Sequence, residues 1–405
     1  MPLKKVERKL KSDLENLKEE GTLKGEELVI KEILPPEGNK GPRYILKGEP
    51  NKEYIKMNSN SYLGISRRED VIEAEEKAAK NYGVGPGAVR FISGTHVPHI
   101  ELEKKIADFH GREDSMILSS AYVTSIGVIF PLLTKETIVI SDELNHNCII
   151  NAIRMSRPAG KAIYKHNDMA DLEKKIEDSI GKAKRLMVVT DGVFSMLGET
   201  APLKKITELC EKYDDKFEEG IFSVVDDSHG VGAIGKTGRG TEELENTKVD
   251  ILIGTLGKAF GVNGGYVASS NTVITYLREN TPTYIYSNPI TCSEAAAASK
   301  VLEIVDSEEG RNLLKDLKEK TKLFMDGLKK LGYETAEGEH PVVPLILRDT
   351  KKTNKLVKHL EEKGVLGTAI TYPVVPRGDE EIRFQINNDH TRSDINHVLD
   401  LLKNY

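Results

Sequence analysis

Lys258 is the only charged residue between Asp250 and Arg278, in a chain of which 30% is charged. It sits in ILIGTLGKAFGVNGGYVASS, residues 251–270. An ammonium group in so apolar a setting is costly to desolvate, and desolvation lowers its pKa toward the free amine. A free amine is a nucleophile that joins to carbonyl carbon. A lysine merely lifting its head to solvent would not need the flanking Gly257, Gly261, Gly264 and Gly265, which suggest a backbone packed against something large and flat.

Other reactive side chains collect in comparable places. The apolar runs TIVISD, RLMVVTD, IFSVVDD and DILIGT lead into SDELNH, TDGVFS, VDDSHG and GTLGK, which carry His146, Ser195, Asp226, His229, Thr255 and Lys258. After SMILSS, the SSAY turn opens a helix-like VTSIGVIF, where free amides and the Ser119 or Ser120 hydroxyl would suit a phosphate. Singly, a strand-end Asp is most often a turn or cap and a lone His a structural group. Convergence on one edge is the signal. Pyridoxal 5'-phosphate (PLP) matches the whole set: phosphate on a helix N-terminus and hydroxyl, pyridine nitrogen on a carboxylate, ring face on an imidazole, carbon on the lysine.

Such groups need a scaffold. Short continuous apolar runs at 115–120, 137–142, 161–166, 185–191, 221–227 and 250–255, mostly separated by charge-rich helical segments, predict an α/β fold. Unbroken hydrophobicity predicts strands buried on both faces of a mostly parallel sheet, with ligands beyond the strands' carboxyl ends. After Pro289, the helix SEAAAASKVLEIV, further charged helices and the strands VVPLILR and EIRFQIN predict a smaller α+β lobe. Leu3, Val6, Leu10, Leu14 and Leu17 recur at helical spacing, so residues 2–20 form an amphipathic arm. Its stripe covers either another subunit or the chain's own body.

A net charge of −6, with lysines and glutamates interspersed, argues against a nucleic-acid or membrane partner and for a metabolite. Cys148, Cys210 and Cys292 lack Cys/His ligand spacing, so neither a disulfide framework nor a metal is expected. The N-terminus is charged throughout and no stretch approaches a membrane span, which predicts a cytoplasmic protein.

Two glycine-rich motifs are decoys. GVGAIGKT, residues 230–237, matches the P-loop of a nucleotide hydrolase. Yet DDSH intervenes after the strand, Gly238 and Gly240 interrupt the helix that should follow, and DILIGT ends without a magnesium-binding Asp. GVGPGA, residues 83–88, fits a dinucleotide fingerprint but follows a helix-like segment instead of a strand.

The chain resembles the α-oxoamine synthases, the acyl-CoA-dependent branch of fold-type-I PLP enzymes, from about residue 58 to near its C-terminus. YGVGPGAVRFISGTHVPHIELEKKIADFHG, SDELNH, TDGVFSMLGE, VDDSHGVGAIGKTGRG, GTLGKAFG, YSNP and YPVVPRGDEEIRFQI occur in that family's order and spacing. The resemblance implies a seven-stranded, mostly parallel large domain over residues 60–289, a small α+β domain over 290–405 and an N-terminal arm and small segment over 1–59. It implies that Lys258 bonds to the cofactor, His146 stacks on the ring, Asp226 pairs with the ring nitrogen, and His229 and Ser195 face the ring hydroxyl. Ala121, Tyr122 and Thr255 would bind the phosphate, with Ser287 from a neighbouring subunit of an obligate homodimer. Asn60 and Arg383 would grip the amino-acid carboxylate. VRFISGTH, FHGRED and TPTYIYSNP look closest to the glycine C-acetyltransferase branch, which joins glycine to acetyl-CoA. VDDSHGVGAIG and Ala121-Tyr122-Val123 depart from that branch's pattern, the latter from a small residue, Phe and an acid, and DDSHGVGAIG is nearer the decarboxylating 8-amino-7-oxononanoate synthase and serine-palmitoyltransferase-like branches.

Overall fold

The computed structural model describes residues 2–20, 22–23 and 26–405. Near the N-terminus, β1 (Ile30–Leu34), β2 (Arg43–Leu46) and β3 (Glu49–Lys56) form an antiparallel sheet. The central sheet contains β4 (Asp114–Leu118), β5 (Thr137–Asp142), β6 (Gly160–Tyr164), β7 (Arg185–Asp191), β8 (Ile221–Asp226), β9 (Ile251–Thr255) and β10 (Gly265–Ser269). Its order is β4-β10-β9-β8-β7-β5-β6. In the C-terminal part, β11 (Val342–Ile346), β14 (Glu381–Gln385) and β13 (Thr368–Ile370) make a third sheet, and β12 (Val365–Leu366) joins β3 in parallel.

The six apolar runs all became strands of the central sheet. The seventh strand, β10, begins on a glycine and runs antiparallel to both β4 and β9. Its reversed direction brings Gly265 level with Leu118 and Thr255, at the edge where the parallel strands end. The unbroken hydrophobicity has its expected cause. On β8, Val224 packs in a cluster with Val128 and Ile149, while Val225 packs in another with Leu172 and Ile206, so both faces are covered. Edge strand β6 alone alternates between half-buried and exposed positions before the buried Tyr164.

Five helices matter below: α1 (Leu3–Glu19), α2 (Glu69–Tyr82), α3 (Val97–His110), α4 (Ala121–Leu132) and α5 (Asn147–Met155). Helix α1 does not pack on the chain's own body: none of its residues is buried, and Leu3, Val6, Leu10 and Leu14 are each more than half exposed. The alanine-rich helix Cys292–Val305 packs closely on α2 and α3. Consequently Leu102, Phe260, Val301 and Phe384 share one hydrophobic cluster, which runs unbroken across residue 290. No helix among the described residues is long and apolar enough to cross a membrane.

Candidate active site

The ends of β5, β7, β8 and β9 open on a cavity of about 220 Å³. Ala121, His146, Ser195, Asp226, His229 and Lys258 line it, with Tyr122 beside them. Lys258 is three residues past β9. Among the described residues no side chain forms a hydrogen bond or ion pair with its Nζ. Burial lowers its pKa, opposed by the nearby charges of Asp226 and Asp191.

Asp226 ends β8 and is buried. Ser125 Oγ donates to its Oδ2 at 2.6 Å, and the Ser228 amide donates to its Oδ1 at 3.1 Å. These bonds fix the carboxylate while leaving lone pairs for an N–H in the cavity. His146 caps α5, its own amide donating to Asp191 Oδ2 at 2.7 Å. Asp191 lies next to Asp226 across the β7–β8 ladder, and burial, then the Asp226 charge, raise its pKa well above the carboxylate range. The Tyr122 ring meets the His146 ring edge-on at 6.3 Å. His229 is buried, which pushes its pKa well below the usual imidazole value.

At the opposite rim, α4 starts on Ser120, whose side chain accepts from the Val123 amide. Among the described residues, the Ala121 and Tyr122 amides have no acceptor, so the helix end is free for an anion. Gly265 permits this approach. A Cβ there would stand 2.5 Å from Ala121 N and 2.5 Å from Thr124 Oγ1. Gly265→Ala should therefore push the first turn of α4 away, an overpacking cost of about 1–3 kcal/mol that weakens PLP binding by roughly 5- to 150-fold. An absorbance titration with PLP measures this. Gly85→Ala, where a Cβ meets nothing within 4 Å, should leave binding unchanged.

Four other residues stand back from the cavity lining. Thr255 is buried, its hydroxyl donating to the Gly264 carbonyl at 3.3 Å and accepting from the Gly257 amide. Asn60 and Arg383 come together from opposite ends of the chain, Arg383 donating to Asn60 Oδ1 at 3.3 Å. Ser287 is half-buried and does not line this chain's cavity.

The aminotransferase class I and II family model matches residues 52–402. The chain belongs to that family. An 8-amino-7-oxononanoate synthase of Thermosipho melanesiensis is 40% identical over 351 residues, 86% of this chain and 87% of that protein. A mitochondrial 2-amino-3-ketobutyrate coenzyme A ligase of Bos taurus is 36% identical, covering 96% of this chain and 90% of that one. A serine palmitoyltransferase variant from S. paucimobilis, solved with PLP and myriocin, superposes with a TM-score of 0.87 at 25% identity, covering 99% and 97% of the two chains. These relatives mark the chain as an α-oxoamine synthase of PLP fold type I.

PLP fits the residues of this α-oxoamine synthase. The free α4 amides suit its phosphate, the braced Asp226 its ring nitrogen, and the unpartnered amine of Lys258 its carbon. The P-loop alternative does not fit. Thr237 donates both its amide and its hydroxyl to Glu243, and the Gly232 amide donates to Gly238, so these loop groups face protein. The helix that follows is only five residues long.

Sequence reasoning passed over Ser125, Asp191 and Tyr62. Ser125 lies one helical turn from Ala121, on the face that must meet the strand ends. Asp191 stands at the end of β7 as Asp226 does at the end of β8, so its strand-end position was the available signal. Tyr62, in NSYLG, carried none. Spacing also hid a cluster: His96, His99 and Cys292 bring ligand-type atoms within 4.8 Å of one another. Both His99 nitrogens are already engaged, with the His96 amide and the Ile290 carbonyl.

Proposed function

We propose that this α-oxoamine synthase condenses alanine with a seven-carbon acyl-CoA, releasing CoA and carbon dioxide, as an 8-amino-7-oxononanoate synthase. The observation that carries the choice is the 40% identity to the Thermosipho protein, supported by DDSHGVGAIG and by the departure of Ala121-Tyr122-Val123 from the glycine C-acetyltransferase pattern. The product's name supplies the substrates. A nine-carbon acid with a ketone at C7 and an amine at C8 divides into a seven-carbon acyl group and a two-carbon amine, which is alanine without its carboxylate. This reading replaces glycine and acetyl-CoA as the first choice. The glycine C-acetyltransferase reading stays second, favoured by VRFISGTH and the 36% identity to the cattle ligase.

When bound, PLP supplies an electron sink for the pair released at the substrate Cα. Arg383 and Asn60 hold the substrate carboxylate, a task suited to a guanidinium fork. Lys258 Nζ, whose pKa burial lowers toward the free amine, takes the Cα proton, a transfer typically worth about 10²–10⁴-fold. Asp226 keeps the ring nitrogen protonated, and His146 covers the ring face. Ser195 and His229 face the ring hydroxyl. The Ala121 and Tyr122 amides and Thr255 hold the phosphate, joined by Ser287 of the partner subunit in a homodimer. Tyr286, next to Ser287, is 79% exposed and Phe91 is 67% exposed, apolar surface that a second copy would cover.

A CoA-release assay crossing alanine, glycine and serine against pimeloyl-, acetyl- and palmitoyl-CoA tests the reading. Alanine with pimeloyl-CoA should give the highest kcat/KM, with carbon dioxide released mole for mole. Preference for glycine with acetyl-CoA would establish the second reading.

A further inference from the structure

A second cavity, of about 750 Å³, lies between the glycine-rich loop and the long helix Glu308–Lys330 and shares no residue with the active-site cavity. Ile234 and Leu314, both buried, give it apolar lining. Four cations, Lys236, Arg311, Lys315 and Lys318, also line it, against two carboxylates, Glu243 and Glu339. Both carboxylates are engaged. Glu243 accepts from the amide and the hydroxyl of Thr237, and Glu339 pairs with Lys318 at 2.6 Å.

Lys236, Arg311 and Lys315 are exposed, and among the described residues none of their side chains has a hydrogen bond or an ion pair. Elsewhere on the same helix, Lys318, Lys320, Lys322 and Lys329 each have a carboxylate partner. Arg311, Lys315 and Lys318 stand at i, i+4 and i+7, so they share one helix face, where like charges repel. An anion in the cavity would relieve that repulsion. The loop adds backbone donors: among the described residues, the Gly235 and Lys236 amides have no acceptor. Consecutive free amides beside unpaired cations form an anion-binding concavity.

We propose that this cavity binds a phosphorylated nucleotide. Its volume lies in the range of small-molecule sites and exceeds what a single phosphate fills. The lining has an excess of two positive charges in a chain of net charge −6, which favours a multiply charged anion. The apolar lining favours an anion that carries a ring system. Arg311 offers a fork of N–H groups to phosphate oxygens, and Lys236 and Lys315 offer point charges. The mode differs from that of a P-loop, because the Gly232 and Thr237 amides face protein and no phosphate bond is broken. CoA and free adenine nucleotides share this chemistry. Binding here is independent of the substrates proposed above.

Calorimetric titration of the PLP-loaded protein with ATP, CoA and inorganic phosphate at low ionic strength tests this. ATP should bind once per chain. Arg311→Gln and Lys236→Gln, both exposed and outside the active site, should each weaken ATP binding about tenfold, the effect of roughly one charge-assisted hydrogen bond. Their kcat, measured without ATP, should stay at the wild-type value. Lys322→Gln, on the same helix but outside the cavity, should bind ATP as the wild type does. Of CoA and ATP, the one bound more tightly in a manner weakened by Arg311→Gln is the ligand. No binding of either at millimolar concentration overturns the proposal, as does binding that neither Arg311→Gln nor Lys236→Gln weakens. Inorganic phosphate bound as tightly as ATP would mean an adventitious ion only and would overturn the nucleotide assignment.

Discussion

Lys258→Ala should bind PLP without covalent attachment and lose at least the roughly 10²–10⁴-fold that a general base contributes. The loss should exceed that of any other single substitution, because in the proposed function the same atom both bonds to the cofactor and moves the proton. Stability distinguishes lost chemistry from lost fold. The folded protein holds the Lys258 pKa below its ordinary value, so charging the amine opposes folding. Wild-type stability relative to the alanine variant therefore rises with pH through the folded pKa and levels off above the unfolded one. At neutral pH the cofactor-free variant should melt at or above the wild type, by calorimetry. A variant that melts well below it would mean that Lys258 has a structural partner.

Asp226→Asn is the second large effect. The new amide can still accept the Ser228 N–H through its oxygen while its NH2 donates to the Ser125 hydroxyl, so the pocket should hold and PLP should bind. What disappears is the negative charge to which the proposed function assigns the protonation of the ring nitrogen. Loss of one preorganised electrostatic group costs about 10²–10³-fold in turnover, and we expect a fall of that size in kcat with little change in PLP affinity. Rates near wild type would rule out the ring-nitrogen role. Asp191→Asn is the informative comparison. Its carboxylate accepts the His146 amide and is itself held toward the neutral form, so the change should be milder.

Residues whose chemistry conflicts with their setting were the legible part of the site. A lone lysine among glycines, and Asp and His at the ends of apolar runs, each identified a strand end, and the sheet brings those ends to one edge. Continuous apolar runs were legible as parallel strands because both faces of β7, β8 and β9 are covered. β10 was not, because its register depends on Gly265 passing α4 closely, a contact distant in sequence. Tyr62 and Ser125 were missed because they meet the site through single hydrogen bonds to His229 and Asp226, groups 167 and 101 residues away. The acyl substrate was the least legible part: residues 121–123 and 225–235 depart from the glycine C-acetyltransferase pattern, and the 40% identity to an 8-amino-7-oxononanoate synthase is what moved the proposed acyl group from acetyl toward pimeloyl.

The most direct test of the account is to load the purified protein with PLP, reduce it with borohydride and locate the label by peptide mass. The account predicts a yellow protein, bleached on reduction, with the cofactor fixed to the peptide containing Lys258. A colourless protein, or a label on another lysine such as Lys236 in the glycine-rich loop, would contradict it.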